Sequence, residues 1–205
     1  YSPFALTAEH KKYSAMEIYE MLSDSKNTLL REKVMKYAAQ NGLIYIKDNS
    51  GTNINVQIID TAKLPNTLTN SAIDAIPVLI VMDYAFGEQA FETLDELLKP
   101  YKKSKKIINF LDVKSVSIMG KAGILEGGKG DIMLPSAHVF EGTADNYPFK
   151  NMLKKSHFEG EDVKVCKGAM ITVLGTSLQN KDILKFFKNS TWNVVGLEME
   201  GAHYQ

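Results

Sequence analysis

Short, continuous apolar runs separated by helical patterns are the feature that most restricts the fold of this chain. The run Pro-Val-Leu-Ile-Val-Met at 77–82 is typical of a strand buried on both faces. Residues 88–99 and 180–189 show the apolar spacing of helices. Because strands that alternate with helices form covered sheets, the pattern predicts an α/β fold, although residues 130–175 are richer in strands than in helices. Further strands are predicted at 107–111, 115–119, 131–135, 169–174 and 192–199.

Residues 1–75 have a different pattern and predict a small N-terminal α+β extension. Helices are expected at 8–23 and 28–41, and strands at 43–46 and 54–58 with turn residues at 48–51 between them. A polar stretch at 61–71 is a loop or linker, so the second domain is placed at 76–205. The basic run at 102–106 is expected to be a solvated turn.

Composition narrows the function classes. The 24 basic residues balance the 24 acidic ones, which gives no support for nucleic acid as a partner. No apolar run reaches the roughly 18 to 20 residues of a membrane span, so no membrane partner is expected. Cys166 is the single cysteine, which excludes an intrachain disulfide and is compatible with a reducing compartment. We therefore expect a cytoplasmic protein, and the first residue, Tyr1, suggests an excised piece.

Two glycine-containing turns could approach an anion. In Ser117–Gly123, Gly120 permits a sharp bend and Lys121 adds a positive charge, although an ordinary turn with a surface lysine explains the same residues. The glycines at 127–130 precede a predicted strand, and a tight turn that leads into the strand is the simpler interpretation than a phosphate loop. The turn at 117–123 is not a Walker loop, because the glycine spacing and the Lys-Ser/Thr ending are missing.

Residues 137–147 combine aromatic and polar types that could stack on a base and bind hydroxyl groups. A single histidine after a strand, such as His138, is more often a partnered structural residue than a ligand. The four histidines and Cys166 have no metal-like spacing, so no metal site is predicted.

The segment Glu198-Met199-Glu200 follows the apolar residues 194–197. On an extended strand, Glu198 and Glu200 would point to the same side. A carboxylate accepts two hydrogen bonds from a vicinal diol, which suits a ribose. The alternative is a strand that has simply reached water.

Together these segments resemble the nucleoside phosphorylase superfamily, which includes purine nucleoside phosphorylases, uridine phosphorylases, methylthioadenosine nucleosidases and AMP nucleosidases. The similarity covers about residues 77–205 and implies a mixed central sheet flanked by helices. It consists of the apolar strand at 78–82 with the loop to Glu88, the turn at 119–123 followed by the Gly-Asp strand at 130–135, and Glu198-Met199-Glu200 before small residues. The stretch 141–147 is similar to the AMP nucleosidase branch.

The resemblance implies a role for each matching residue. Glu200 would bind the ribose 2′ and 3′ hydroxyls, Met199 would pack against the sugar, and Glu198 would position the strand or the nucleoside. Gly120 and Lys121 would lie beside phosphate or another anionic group. Glu88 would be the catalytic acidic residue that positions water.

Two departures from the family pattern bear on catalysis. Ile118 stands where phosphorylases have a phosphate-gripping arginine, and Lys121 replaces a hydroxyl residue, so phosphate is only a possible co-substrate and no cofactor is expected. The family's aspartate that protonates the purine would lie beyond Gln205. We therefore expect either a C-terminally truncated piece of a longer protein or a domain that has lost catalysis.

The expected function is cleavage of the N-glycosidic bond of a purine nucleoside or nucleotide, by a nucleosidase or a phosphorylase. The alternatives are a non-catalytic module that binds the nucleoside or nucleotide and a domain kept for assembly. Family members pair through this core, so the resemblance also implies a homo-oligomer.

Overall fold

The computed structural model describes residues 15–24, 26–48, 54–64, 76–83, 85–104, 107–143, 145–160, 162–175 and 179–205. The chain divides into two compact units, Tyr1–Tyr84 and Ala85–Gln205. The protein is mixed α/β, as predicted, with helices and a five-stranded mixed sheet. Within the described ranges, none of the helices has the length and apolarity needed to cross a membrane.

In its described residues, the first unit contains two α-helices and a three-stranded antiparallel sheet. The helices are α1 (Ala15–Ser23) and α2 (Thr28–Gln40), and the strands are β1 (Leu43–Ile46), β2 (Val56–Asp60) and β3 (Val78–Met82), in the order β1-β2-β3. Val34 and Ala38 of α2 pack against Leu43 and Ile59 to form its core. These helices and the β1–β2 pair confirm the predictions where they are described; residues 8–14, 49–51 and 65–71 lie outside the described residues.

Residues 78–82 form a strand, as predicted, but the prediction that this strand is buried on both faces is wrong. β3 is not buried on both faces, since Val78, Leu79, Ile80 and Val81 are exposed. It pairs with β2 from Asp60↔Val78 to Val56↔Met82 at the edge of the sheet in the first unit. The apolar run correctly indicated a strand, but it did not reveal its neighbour, because strand pairing is set by contacts distant in sequence.

The second unit contains helix α3 (Glu88–Leu98), the hairpin β4 (Tyr101–Ser104) and β5 (Ile107–Asn109), and helix α4 (Lys181–Lys188). The predicted helices are confirmed. The basic run was expected to be a solvated turn, but its first residues belong to β4. The predicted strand at 115–119 is wrong, because 110–122 has no regular secondary structure and its side chains are mostly exposed, with Met119 at 96%.

The main sheet of this unit has three parallel strands between two antiparallel edges. Its strands are β6 (Gly123–Ile124), β7 (Ile132–Phe140), β8 (Asn146–Pro148), β9 (Val165–Thr172) and β10 (Val194–Glu198), in the order β6-β10-β9-β7-β8. The predictions at 131–135, 169–174 and 192–199 correspond to β7, β9 and β10.

The two faces of this sheet bury different clusters. On one face, Ile171, Val173 and Leu197 pack with Phe187 of α4. The second cluster joins Cys166, Met170 and Val195. Burial on both faces explains why residues 168–171 of β9 and 194–197 of β10 are apolar, as central parallel strands are.

Candidate functional site

The parallel strands bring three chain positions together at one edge of the sheet. Phe140, at the end of β7, is paired in register with Thr172, at the end of β9. Thr172 in turn is opposite Glu198, the last residue of β10. In α/β sheets, ligands bind outside the carboxyl ends of the parallel strands. A ligand-binding site is therefore expected at the carboxyl ends of β7, β9 and β10.

Glu198 is the centre of a buried hydrogen-bond network. Its Oε1 accepts from Thr172 Oγ1 (2.5 Å) and lies 3.3 Å from His138 Nδ1. Its Oε2 accepts from the backbone amides of Glu200 (2.6 Å) and Gly201. Burial alone would raise the pKa of Glu198, but these hydrogen bonds together hold the pKa below its ordinary value of 4.5. Glu198 is therefore an ionised residue that holds the following turn.

Thr172 extends this network to the last turn of the chain. Its side chain is fully buried, and while its hydroxyl donates to Glu198 it accepts from the Ala202 amide (2.8 Å). The hydroxyl thus uses both its donor and an acceptor position. β9 and the Gly201–Tyr204 3-10 helix are joined through this one side chain.

The prediction that Glu198 and Glu200 point to the same side of one strand is wrong. β10 ends at Glu198, and Met199 and Glu200 form a bend before the Gly201–Tyr204 helix. The bend arises because Glu198 turns back to accept the amides that follow it. Glu200 is 8% exposed, and its Oε1 accepts from the Gly87 amide at the start of α3 (3.2 Å). Met199 is partly exposed.

Position 201 has room only for glycine, because the side chains of His138 and Glu198 lie very close to its Cα. A Cβ at this position would overlap the imidazole of His138 and lie 2.6 Å from Glu198 Oε1. The imidazole cannot easily yield, because it stacks on Phe149 with centroids 5.5 Å apart and planes 6° from parallel. His138 is buried and partnered, in agreement with the structural interpretation of this residue.

A cleft of about 440 Å³ lies beside this turn. Its volume falls within the range of small-molecule sites. Its walls are aromatic and acidic, and they are formed by Glu88, Phe91, Glu92, Phe140, Tyr147, Ala202 and His203. Glu200 is not among these lining residues, but its carboxylate accepts from the amide of Gly87, which precedes Glu88, and Ala202 and His203 follow it in the chain.

The pKa of Tyr204 is also affected by the carboxylates near it. Burial, followed by the carboxylates of Glu200 and Glu198, raises the pKa of the Tyr204 phenol. The edge of the sheet is thus strongly acidic, and a ligand that donates hydrogen bonds or carries positive charge is favoured there.

The structure brings some of the predicted site residues together and leaves others apart. Glu88 lines the cleft, and Glu200 and Glu198 lie in the turn at its border. Gly120 and Lys121 lie in the exposed segment 110–122 and are not among the residues that line the cleft. Their role beside an anion, like the roles of the other residues, stays a prediction.

The glycines at 127–130 form a tight turn into β7, as the simpler interpretation held. Gly127 and Gly130 have φ values of +112° and +98°, and Asp131 Oδ2 accepts from the Gly128 amide (2.7 Å). The carboxylate of Asp131 occupies the amide that a phosphate would have bound.

Sequence reasoning missed several residues of the site. Glu92 could have been found, because it lies four residues after Glu88 and therefore on the same helix face. Gly87, Phe91 and His203 gave no signal, since their positions depend on the packing of α3 against the last turn. Among the described residues, no group of three or more His, Cys, Asp or Glu side chains could hold a metal ion.

The fold and the site define an α/β protein with an acidic, aromatic cleft at the carboxyl edge of its parallel strands. The chain belongs to a family of unknown function, DUF6909, which matches residues 8–205. Searches of the curated proteins and of the solved structures found no match to this chain.

Proposed function

We propose that the protein binds a purine nucleoside or nucleotide in the cleft and cleaves its N-glycosidic bond by hydrolysis. One observation carries the proposal: the buried carboxylate of Glu200, two residues after β10, accepts from the amide of Gly87, and the next residue, Glu88, lines an aromatic cleft. The resemblance of Glu198-Met199-Glu200 and of the segment 130–135 to nucleoside phosphorylases supports the same assignment.

Each part of the nucleoside has a matching group in this proposal. Glu200 accepts hydrogen bonds from the 2′ and 3′ hydroxyls. Hydrogen bonds to a carboxylate are charge-assisted and therefore stronger than those between neutral groups. The rings of Phe91, Phe140 and Tyr147 offer faces and edges for the base. Glu198 touches no substrate and keeps Glu200 in place through the turn.

The chemistry requires charge stabilisation at the sugar and a proton for the base. The carbon–nitrogen bond breaks through an oxocarbenium-like state, which the carboxylates stabilise. Glu88 orients a water molecule and takes its proton as the oxygen bonds to the anomeric carbon. His203 lines the same cleft and, in its imidazolium form, is the candidate to protonate the leaving base, which leaves its ring neutral. The products are the free base and the sugar.

Binding without turnover is the second candidate. It is favoured by the placement of Gly120 and Lys121 outside the cleft lining, which removes one implied anion contact from the proposed site. In that case the protein is a nucleoside-binding module, and the acidic edge serves recognition only.

The test is release of free purine from adenosine, inosine and AMP by the whole chain, with and without phosphate. We expect release without phosphate, a large loss in Glu200→Gln and Glu88→Gln, and no change in Glu159→Gln, an exposed glutamate outside the cleft. Binding of a nucleoside without release would establish the second candidate. Neither binding nor release from any of the three compounds would overturn both.

Two further properties belong to the same proposal. A homo-oligomer follows from the resemblance and is tested by light scattering after size-exclusion chromatography; a mass of one chain at micromolar concentration would contradict it. A cytoplasmic location is supported by Cys166, a buried free thiol whose Sγ donates to the Glu126 carbonyl (3.1 Å), since free thiols are typical of reducing compartments.

A further inference from the structure

We infer that the cleft selects nucleosides whose 5′ group is neutral or positively charged and rejects their 5′-phosphates. This inference rests on the proposed function and narrows its substrate class. It follows from the charges that surround the cleft and from the way in which the start of α3 is already occupied.

Two glutamates of α3 line the cleft. Glu88 and Glu92 are four residues apart, about one helical turn, and both belong to its wall. The buried carboxylate of Glu200 is bound to the amide of Gly87, next to Glu88. Two acidic residues therefore line the cleft and a third is bound beside one of them, and His203 is the one basic residue among those that line it.

The start of helix α3 does not offset this charge. Helix N-termini attract anions through their unpaired amides and the helix dipole. Here the Gly87 amide is directed to Glu200 Oε1 (3.2 Å), and Glu88 occupies the first turn. The positive end of the helix is therefore already matched by carboxylates of the protein.

Because the cleft is small, the 5′ group of a bound nucleoside lies close to the charges of Glu88 and Glu92. A nucleoside held by its 2′ and 3′ hydroxyls at Glu200 keeps its 5′ group within the same space of about 440 Å³. The Debye length at physiological salt is about 8 Å, so a 5′-phosphate is only partly screened from Glu88 and Glu92. Juxtaposed like charges disfavour the wrong ligand, and we expect at least about a 10-fold weaker affinity for the phosphate.

The experiment is a calorimetric titration of the whole chain with three ligands that differ only in the charge of the 5′ group. These are 9-deazaadenosine, its 5′-monophosphate and its 5′-amino-5′-deoxy derivative; their carbon–carbon glycosidic bond prevents hydrolysis. The expected order of affinity is amino at least as tight as hydroxyl, and both at least about 10-fold tighter than phosphate.

Variants test whether the carboxylates cause this order. In Glu92→Gln, and more strongly in Glu88→Gln/Glu92→Gln, the preference against phosphate should shrink, whereas the control Glu96→Gln should keep it. Glu96 lies on the same helix but is exposed and paired with Lys99 (2.6 Å). Circular dichroism checks that each variant is folded.

The outcomes distinguish a failure of the selectivity against phosphate from a failure of the proposed function. If the wild-type chain binds the phosphate as tightly as the hydroxyl ligand, the selectivity is overturned and the proposed function stands. An unchanged preference in the folded double variant also overturns it. If none of the three ligands binds, the proposed function is overturned, and this inference with it.

Discussion

Replacement of Gly201 by alanine is the most direct perturbation of the turn that carries Glu200. The added methyl group would overlap the His138 ring and lie 2.6 Å from Glu198 Oε1. His138 is stacked on Phe149, and the carboxylate of Glu198 is bound by Thr172 and two amides, so neither neighbour can rotate away without losing its own contacts. Overpacking of this kind costs about 1–3 kcal/mol, and we expect the upper half of that range.

Trp192 makes this change measurable. It is the single tryptophan, and it precedes β10 in the second unit, so its fluorescence reports on that unit. With an m-value of about 2 kcal/mol/M in urea, a loss of about 2 kcal/mol lowers the unfolding midpoint by about 1 M.

The matched control for this measurement is Gly128→Ala. A Cβ there meets only Asp131 Oδ2, at an ordinary 3.8 Å. The free energy of unfolding should therefore change by no more than the roughly 0.5 kcal/mol typical of surface substitutions, and the midpoint should stay close to that of the wild type. A Gly201→Ala midpoint equal to that of Gly128→Ala would refute the packing described for the turn.

Three other predictions concern the same unit. Thr172→Val removes the hydroxyl that joins Glu198 to the last turn and should cost about 1–3 kcal/mol in urea unfolding, whereas Thr172→Ser should recover much of it. Because the folded-state pKa of Glu198 is lowered, its contribution to stability is fully present above the ordinary value of 4.5 and is lost as the pH falls below it. Unfolding of the wild type from pH 6 to 3 should therefore show a decline that Glu198→Gln reduces. Asn180→Ala removes the side-chain cap of two amides of α4 and should cost about 1 kcal/mol, and an unchanged midpoint would contradict the capping role.

Local patterns predicted much of the fold. Helices α2, α3 and α4 follow from apolar spacing, and β9 and β10 follow from continuous apolar runs that the sheet buries on both faces. The partner of β3 could not be read in this way, because the same run of apolar residues suits the edge of one sheet or the centre of another. Residues 115–119 alternate as a strand does, yet their side chains are exposed.

The site was predictable in its residue types and not in its geometry. The strand that leads into Glu198-Met199-Glu200 was predicted, but alternation along it assumed that the strand continues. It ends at Glu198 because this carboxylate turns to accept the amides of Glu200 and Gly201. That network depends on His138 and Thr172, which are 60 and 26 residues away from Glu198 in sequence, and no local pattern connects them.

The central claim is that Glu200 holds the sugar of a nucleoside in the cleft. Its most direct test is calorimetric titration of 9-deazaadenosine into the wild-type chain and into Glu200→Gln, with both proteins shown to be folded by Trp192 fluorescence. We expect binding to the wild type and about a 10- to 100-fold loss in the variant, since a hydrogen bond to a charged group contributes about 1.5–3 kcal/mol. Equal affinity of the two proteins, or no binding to the wild type, would contradict the claim.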